Sequence, residues 1–419
     1  MAGILALSGF SHANDFGTAG VQTTFIGSGS IEAGQIVKGE YKYSLDPTHK
    51  VDHAWYQRVY MRLGFDAAID ERTDITVVGE GIACYSWIKT QEYYEDMRPR
   101  YSFYPYHMEG SYCFGDAKNP RLRIGVGVFP FKYNPDVRNL GEYLYRTGTY
   151  PPYIASEFDF PLARLTGLRL TAIPIDSLRV NVLLTTESQL VPVADYGVSV
   201  LGDYTLAGAF TIGAGVFFSH LLFVNKDYTT PRNPLSLVPL DSTGGDTVYY
   251  TFRGTKLMAR LAFDPKVFFT SDIFGKNDLR LYSEATMIGL KNYPGWYNER
   301  WRRVPVMVGF NVPAFKFLDV LAVELEWYKS KLPNGYNNVY TGLNLPVPDD
   351  TSGYDYKQNQ LKWSLHAEKQ LGKIFTLTGQ LSKDHMRIER NENNKEQDFQ
   401  DAMHKWGDWS WILKCAFAF

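Results

Sequence analysis

Trp55-Tyr56-Gln57-Arg58-Val59-Tyr60-Met61-Arg62-Leu63-Gly64-Phe65-Asp66-Ala67-Ala68-Ile69 is the stretch whose reading decides the fold. Its odd positions are Trp55, Gln57, Val59, Met61, Leu63, Phe65, Ala67 and Ile69, and its even positions include Arg58, Arg62 and Asp66. Successive side chains of a β-strand point to opposite faces, so this stretch predicts a strand with one greasy and one wet face. The pattern recurs. Val304, Val306, Val308 and Phe310 alternate with Arg303, Pro305, Met307 and Gly309; Leu321, Val323, Leu325 and Trp327 with Ala322, Glu324, Glu326 and Tyr328. Leu361, Trp363, Leu365 and Ala367 alternate with Lys362, Ser364, His366 and Glu368; Phe375, Leu377, Gly379 and Leu381 with Thr376, Thr378, Gln380 and Ser382. Segments of about ten residues alternating this way are the pattern of a transmembrane barrel.

A soluble antiparallel sandwich also alternates, and the connections decide between the two. Strands are expected near 35–45, 55–69, 75–90, 102–115, 120–131, 163–175, 177–188, 194–205, 208–222, 248–264, 277–290, 302–312, 316–331, 359–371, 373–389 and 405–419. The joining segments then alternate between short turns, such as Asp176-Ser177 and Gly372, and long ones near 91–101, 132–162, 223–247, 291–301, 332–358 and 390–404. Residues 265–276 are an exception of middle length. Short turns at one end and long loops at the other are the asymmetry of outer-membrane barrels. The fold class is all-β, a transmembrane antiparallel up-and-down barrel of about 16 strands, with 14 or 18 as neighbouring counts.

Composition agrees. The 419 residues carry a net charge of −2, which gives no electrostatic case for nucleic acid. Aromatic residues make up 15%, suited to girdles at two membrane interfaces. Mean hydropathy is −0.26, as expected when only alternate residues meet lipid. Residues 1–13 read as the remnant of a secretory signal cleaved after Ala13, although no Lys or Arg precedes the apolar run. Residues 14–34, with Ile26-Gly27-Ser28-Gly29-Ser30, read as a periplasmic lead-in, and 35–419 as the barrel. Three cysteines, Cys84, Cys113 and Cys415, cannot pair fully within one chain, and free thiols are expected.

Trp411, Leu413, Cys415, Phe417 and Phe419 share one strand face, and Ser410, Ile412, Lys414, Ala416 and Ala418 the other. This ending resembles the C-terminal strand signature of bacterial outer-membrane barrels, with Lys414 where that signature usually has Gly. The resemblance makes Phe417 and Phe419 an assembly signal. Sixteen strands, short inner turns and the terminal Phe together resemble the general bacterial porins. That resemblance implies integral outer-membrane localisation, a homotrimer, and contact with lipid, lipopolysaccharide and the barrel-assembly machinery. It also implies that the loop after the fifth strand folds into the barrel. Here that loop, 132–162, is the longest connection and contains Asn139-Leu140-Gly141-Glu142-Tyr143-Leu144. Leu140, Tyr143 and Leu144 fall at i, i+3 and i+4, one face of a short helical turn, and Gly148 and Pro151-Pro152 end it. A loop with an apolar face needs something to pack on, and the barrel wall is at hand.

Alternation places Arg58, Arg62, Arg121, Arg123, Arg179, Lys256, Arg260, Arg280 and Arg303 in the lumen, with Asp66, Glu80, Glu109, Glu187, Asp203, Glu284, Glu324 and Glu326. Facing lipid, a cation near the midplane would cost about 2–4 kcal/mol. Such charges either pair along the wall or set a transverse field across a pore. Arg58, Arg62, Arg121 and Arg123, opposed by Asp136 and Glu142 of the long loop, are expected to line a constriction. Trp55, Tyr85, Trp87, Tyr104, Tyr106, Trp327, Trp363 and Trp411 are expected to face outward as interface anchors. A sugar-stacking track would instead use Tyr56, Tyr60, Tyr282 and Tyr328.

No Gly-x-Ser-x-Gly, His-Glu-x-x-His or phosphate-cradling Gly loop occurs. No catalytic residue, cofactor or metal site is therefore expected. The expected function is a porin passing small hydrophilic solutes and ions by passive diffusion. The alternatives are a plugged fatty-acid-transport-type barrel with 14–34 as its hatch, and a structural or adhesive barrel.

Overall fold

In the computed structural model each alternating segment becomes one strand of a closed sheet. The structure describes residues 21–43, 46–50, 52–89, 94–116, 119–145, 163–186, 194–222, 224, 237–239, 247–249, 254–290, 300–329, 360–386 and 402–419. The signal segment 1–13 and Glu187 lie outside them. In chain order the strands begin β1 (Gln22–Lys38), β2 (Glu40–Tyr43), β3 (Asp46–Lys50), β4 (Ala54–Ala68), β5 (Thr73–Lys89), β6 (Tyr94–Phe114) and β7 (Leu122–Phe131). They continue with β8 (Ala163–Ile175), β9 (Leu178–Thr186), β10 (Tyr196–Leu206), β11 (Phe210–Leu222), β12 (Leu237–Pro239), β13 (Thr247–Tyr249) and β14 (Gly254–Phe263). The last are β15 (Leu281–Met287), β16 (Val306–Asn311), β17 (Val320–Trp327), β18 (Leu361–Leu371), β19 (Phe375–Lys383) and β20 (Trp409–Ala418).

Two hairpins, β2–β3 and β12–β13, stand apart, and the other sixteen strands form one antiparallel barrel closed by β1 pairing with both β4 and β20. Closure leaves no unpaired edge, which a chain surrounded by lipid requires. Alternation sorts the side chains as the sequence implies. Ile31, Leu261, Val308, Leu325 and Leu413 are exposed on the outside, while Glu32, Arg58, Lys256, Glu284, Glu324 and Lys362 are buried on the inside. An apolar outside this extensive marks a surface meant to be covered.

One boundary is corrected. The first wall strand is Gln22–Lys38, not 35–45, so most of the expected lead-in is wall, and residues 22–34 are not a hatch. The reason lies at the seam. Gly29 stands opposite Phe417, and Gly27 exchanges backbone hydrogen bonds with Phe419. Phe417 and Phe419 stack in parallel, with centroids 6.3 Å apart, across the side-chain-free outer surface of these glycines. Aromatic cover of glycine in a strand makes Ile26-Gly27-Ser28-Gly29-Ser30 a good partner where composition suggests a linker.

A second correction concerns Tyr104 and Tyr106. The β5–β6 register shifts between Val78–His107 and Gly79–Pro105. This bulge at Pro105-Tyr106-His107 changes which side chains point inward, as an extra residue in one strand must. Tyr104 and Tyr106 accordingly meet arginines in the lumen. Trp55 and Trp411 do pack edge to face across the outer seam, 5.4 Å apart. Cys84 stands opposite Arg100 and Cys113 opposite Arg123 in the register; Cys113 and Cys415 are free thiols.

Candidate pore constriction

After Phe131 the chain does not leave the barrel. Residues 132–145 turn inward and cross to the wall formed by β14–β18. Leu140, Tyr143 and Leu144 are buried as their spacing suggests, though in consecutive turns and not a helix. Val137, Leu140 and Tyr143 pack on Ala262, Tyr282 and Met307. Tyr133 and Leu144 pack with Leu183, Leu201 and Met258, all inward-facing apolar residues. Lumen positions on these strands are greasy because the loop covers them. Residues 146–162, with Gly148 and Pro151-Pro152, lie outside the described residues.

Two wall carboxylates fix the register of the loop. Glu324 accepts from three successive backbone N–H groups, those of Arg138 at 2.5 Å, Asn139 at 2.8 Å and Leu140 at 2.8 Å, and from the Tyr282 hydroxyl at 2.9 Å. Glu284 accepts from the Tyr133 hydroxyl at 2.6 Å, Asn134 Nδ2 at 2.9 Å, and the backbone N–H groups of Tyr143 at 2.9 Å and Glu142 at 3.2 Å. Positive φ at Gly141 (99°) and Glu142 (58°) turns these last two N–H groups to the same side. Concave runs of N–H groups are anion sites, and here the anion is the protein's own wall. Glu326 accepts from the Tyr143 hydroxyl at 3.0 Å and lies 2.9 Å from His385, while Asn139 Nδ2 reaches Asp384 at 2.8 Å and Ser364 at 3.1 Å. Burial and the facing Glu284 push the Tyr133 phenol up, which keeps it a donor. Burial, reinforced by Arg138, lowers the Lys132 ammonium to about 8, and its Nζ donates to Val137 O at 2.7 Å.

The opposite wall carries a cluster of cations. Arg62 lies 2.5 Å from Glu80, and Arg164 shares the same carboxylate at 3.4 Å. The Arg62 guanidinium sits over Tyr106 at 3.7 Å and Tyr60 at 4.7 Å, and Arg164 over Tyr104 at 4.9 Å. Such contacts help hold a guanidinium in place. Lys414 also lies over the Tyr60 ring, at 4.9 Å. Nearby, Arg169 and His107 share Glu109 at 2.6 Å and 2.9 Å.

The six residues expected to form the constriction fall into separate places. Arg58 is buried against Glu32 at 3.0 Å, and Arg62 belongs to the Glu80 cluster. Arg121 is corrected to the barrel end, half exposed beside Asp176 in the β8–β9 turn at 2.7 Å. Arg123 pairs with Asp74 at 2.5 Å, next to the β4–β5 turn. Asp136 is held by Arg280 at 2.5 Å, and Glu142 accepts from Asn134 N at 2.5 Å within the docked loop. Arg260 pairs with Asp203 at 2.8 Å, and Arg179 stands opposite Asp203 across the β9–β10 pair. The sugar-track tyrosines do not form a track: Tyr282 and Tyr328 are buried, and the side chain of Tyr56 lies outside the described residues.

Sequence reasoning missed Arg164, Arg169, Tyr104, Tyr106 and Glu32. Arg169 shares its parity with Thr171 and was legible from it; Pro105, inside a strand, was the signal for the bulge.

No family model matches the chain, and no curated protein matches it in sequence. Among solved structures it is similar to bacterial porins. OprB of Pseudomonas putida at low pH is 10% identical, with a TM-score of 0.47, over 95% of this chain and 92% of that one. Two mutants of Rh. blastica porin are 9% identical, with TM-scores of 0.42 and 0.43, over 95% of this chain and 100% of theirs.

Proposed function

We propose that this chain is a channel of a bacterial outer membrane that passes small hydrophilic solutes and ions by passive diffusion. The observation carrying the reading is the docking of 132–145 inside the barrel on Glu284 and Glu324, facing an arginine-rich wall. A closed sheet with an apolar outside needs lipid, and residues 132–145 docked against one side of a lumen narrow it. The eyelet lies between the loop and the cluster of Arg62, Arg164, Tyr104, Tyr106 and Lys414. With Arg62, Arg164 and Lys414 gathered on this wall, a channel that favours anions is expected. Planar-bilayer recording across a salt gradient tests this. Arg62→Ala with Arg164→Ala shifts the reversal potential towards cations, and an unchanged potential and conductance would remove these residues from the eyelet. Liposome swelling by neutral sugars tests passage itself.

A further inference from the structure

At the short-turn end of the barrel, the β14–β15 and β16–β17 connections build an aromatic projection that strand patterning does not demand. Residues 264–280 follow β14 where the β8–β9 pair manages with Asp176-Ser177, and 312–319 follow β16. Their apolar side chains point away from the protein. Phe268 is 62% exposed, Ile273 63%, Phe315 59% and Phe317 81%. The segment is a built one. Buried Asp278 accepts from the backbone N–H of Gly275 at 2.8 Å and of Phe315 at 3.2 Å, tying the two turns together. Asn277 Nδ2 donates to Asp319 O at 3.0 Å, and Asn311 Nδ2 to Asn277 O at 2.9 Å. Asp264 caps a short 3-10 turn at Pro265–Phe268.

The projection continues the outer apolar band. Phe268 lies 6.4 Å from Phe210 and 6.2 Å from Phe263, which stack on each other on the outer faces of β11 and β14. Phe269, Phe274 and Phe315 carry the rings on along the rim, at 6.0 Å and 5.8 Å. Lys276, Lys316 and, on the next turn, Lys373 stand exposed around it, with Asp272 the exposed carboxylate among them. Exposed rings contiguous with a lipid-facing wall and ringed by lysines match the boundary between acyl chains and phosphate headgroups.

We infer that 264–280, braced by 312–319, is an interfacial anchor seated in the phospholipid leaflet at the short-turn end. This rests on the membrane reading above. Its test is spin labelling of Ile273→Cys and Phe317→Cys, with the native cysteines replaced by Ser, in phosphatidylethanolamine–phosphatidylglycerol liposomes. Val308→Cys on the outer wall and Asp116→Cys on another turn serve as references. Labels at 273 and 317 should collide with oxygen as at 308, and several-fold less with a water-soluble nickel chelate than at 116. Nickel collisions equal to those at 116 overturn the anchor, as does shielding from both reagents, which means a second copy or another protein covers the site. Nickel access at 308 as well would instead overturn the membrane reading. Should the cysteine-free chain fail to fold, p-cyanophenylalanine at 273 or 317 in the native chain separates the same outcomes, through a nitrile frequency typical of lipid or of water.

Discussion

Replacing Glu324 by Gln should loosen the docked loop while leaving the barrel intact. One carboxylate oxygen of Glu324 serves Arg138 N and the Tyr282 hydroxyl, and the other serves Asn139 N and Leu140 N. Gln keeps one oxygen and puts an NH2 group where the other stood. Whichever way the amide turns, two donors lose their acceptor and meet another donor. Hydrogen bonds to charged groups contribute about 1.5–3 kcal/mol each, so about 3–6 kcal/mol of anchoring goes, or roughly 10²–10⁴ in the ratio of docked to released loop. Adding Glu284→Gln removes the second anchor, which holds Tyr133, Asn134, Glu142 and Tyr143. Single-channel recording should show larger conductance and more open-channel noise, and a spin label at Asn139→Cys should become mobile. Asp74→Asn, which removes a lumen carboxylate that does not touch the loop, controls for charge alone. If the double variant matches wild type in conductance, noise and label mobility, the carboxylates do not hold the loop and the eyelet argument fails with them.

Leu144→Ala empties a site packed among Leu183, Leu201 and Met258, and should cost about 2–5 kcal/mol of docking, read as earlier loop release on heating. Gly29→Val brings a Cβ within 2.6 Å of the Phe417 ring and 3.1 Å of Tyr60 O, and overpacking of this kind costs about 1–3 kcal/mol. Heat-modifiable gel mobility should show less closed barrel, while Gly372→Asn, at an exposed turn with nothing near an added Cβ, should not. Lys132 titrates near 8 when docked and about 10.4 when released, so docking strengthens as pH rises through that window and levels off at its weakest below it. Channel noise should fall between pH 7.5 and 9.5, and Lys132→Met should abolish the difference.

The wall was legible because lipid and water impose a two-residue period that few other environments sustain over so many segments. Two places escaped. At β1, glycines that look like a linker serve as the floor for the Phe417 and Phe419 rings, a partnership visible only once the ends of the barrel meet. At β6, one extra residue around Pro105 makes the parity before the bulge the reverse of that after it, and this hid Tyr104 and Tyr106. The constriction was less legible than the wall for a related reason. Alternation says that Arg121 and Arg62 both point inward, but it carries no depth, and depth separates an arginine at the β8–β9 turn from one at the eyelet.

The inner surface itself argues for a loop that stays docked. Where 132–145 lie against it, the wall offers Leu183, Leu201, Met258, Ala262 and Met307, side chains that gain nothing from water. The wall around Arg62, Arg164 and Lys414 is charged and lined by tyrosines. A lumen open along its whole circumference would have no use for the first surface, and a lumen filled from wall to wall would leave the second without water to face. On the proposed channel reading, the apolar half holds the loop and the cationic half meets what passes. Glu284 and Glu324 sit within the apolar half, and their acceptor oxygens are taken up by loop donors. These two carboxylates therefore serve to position the loop.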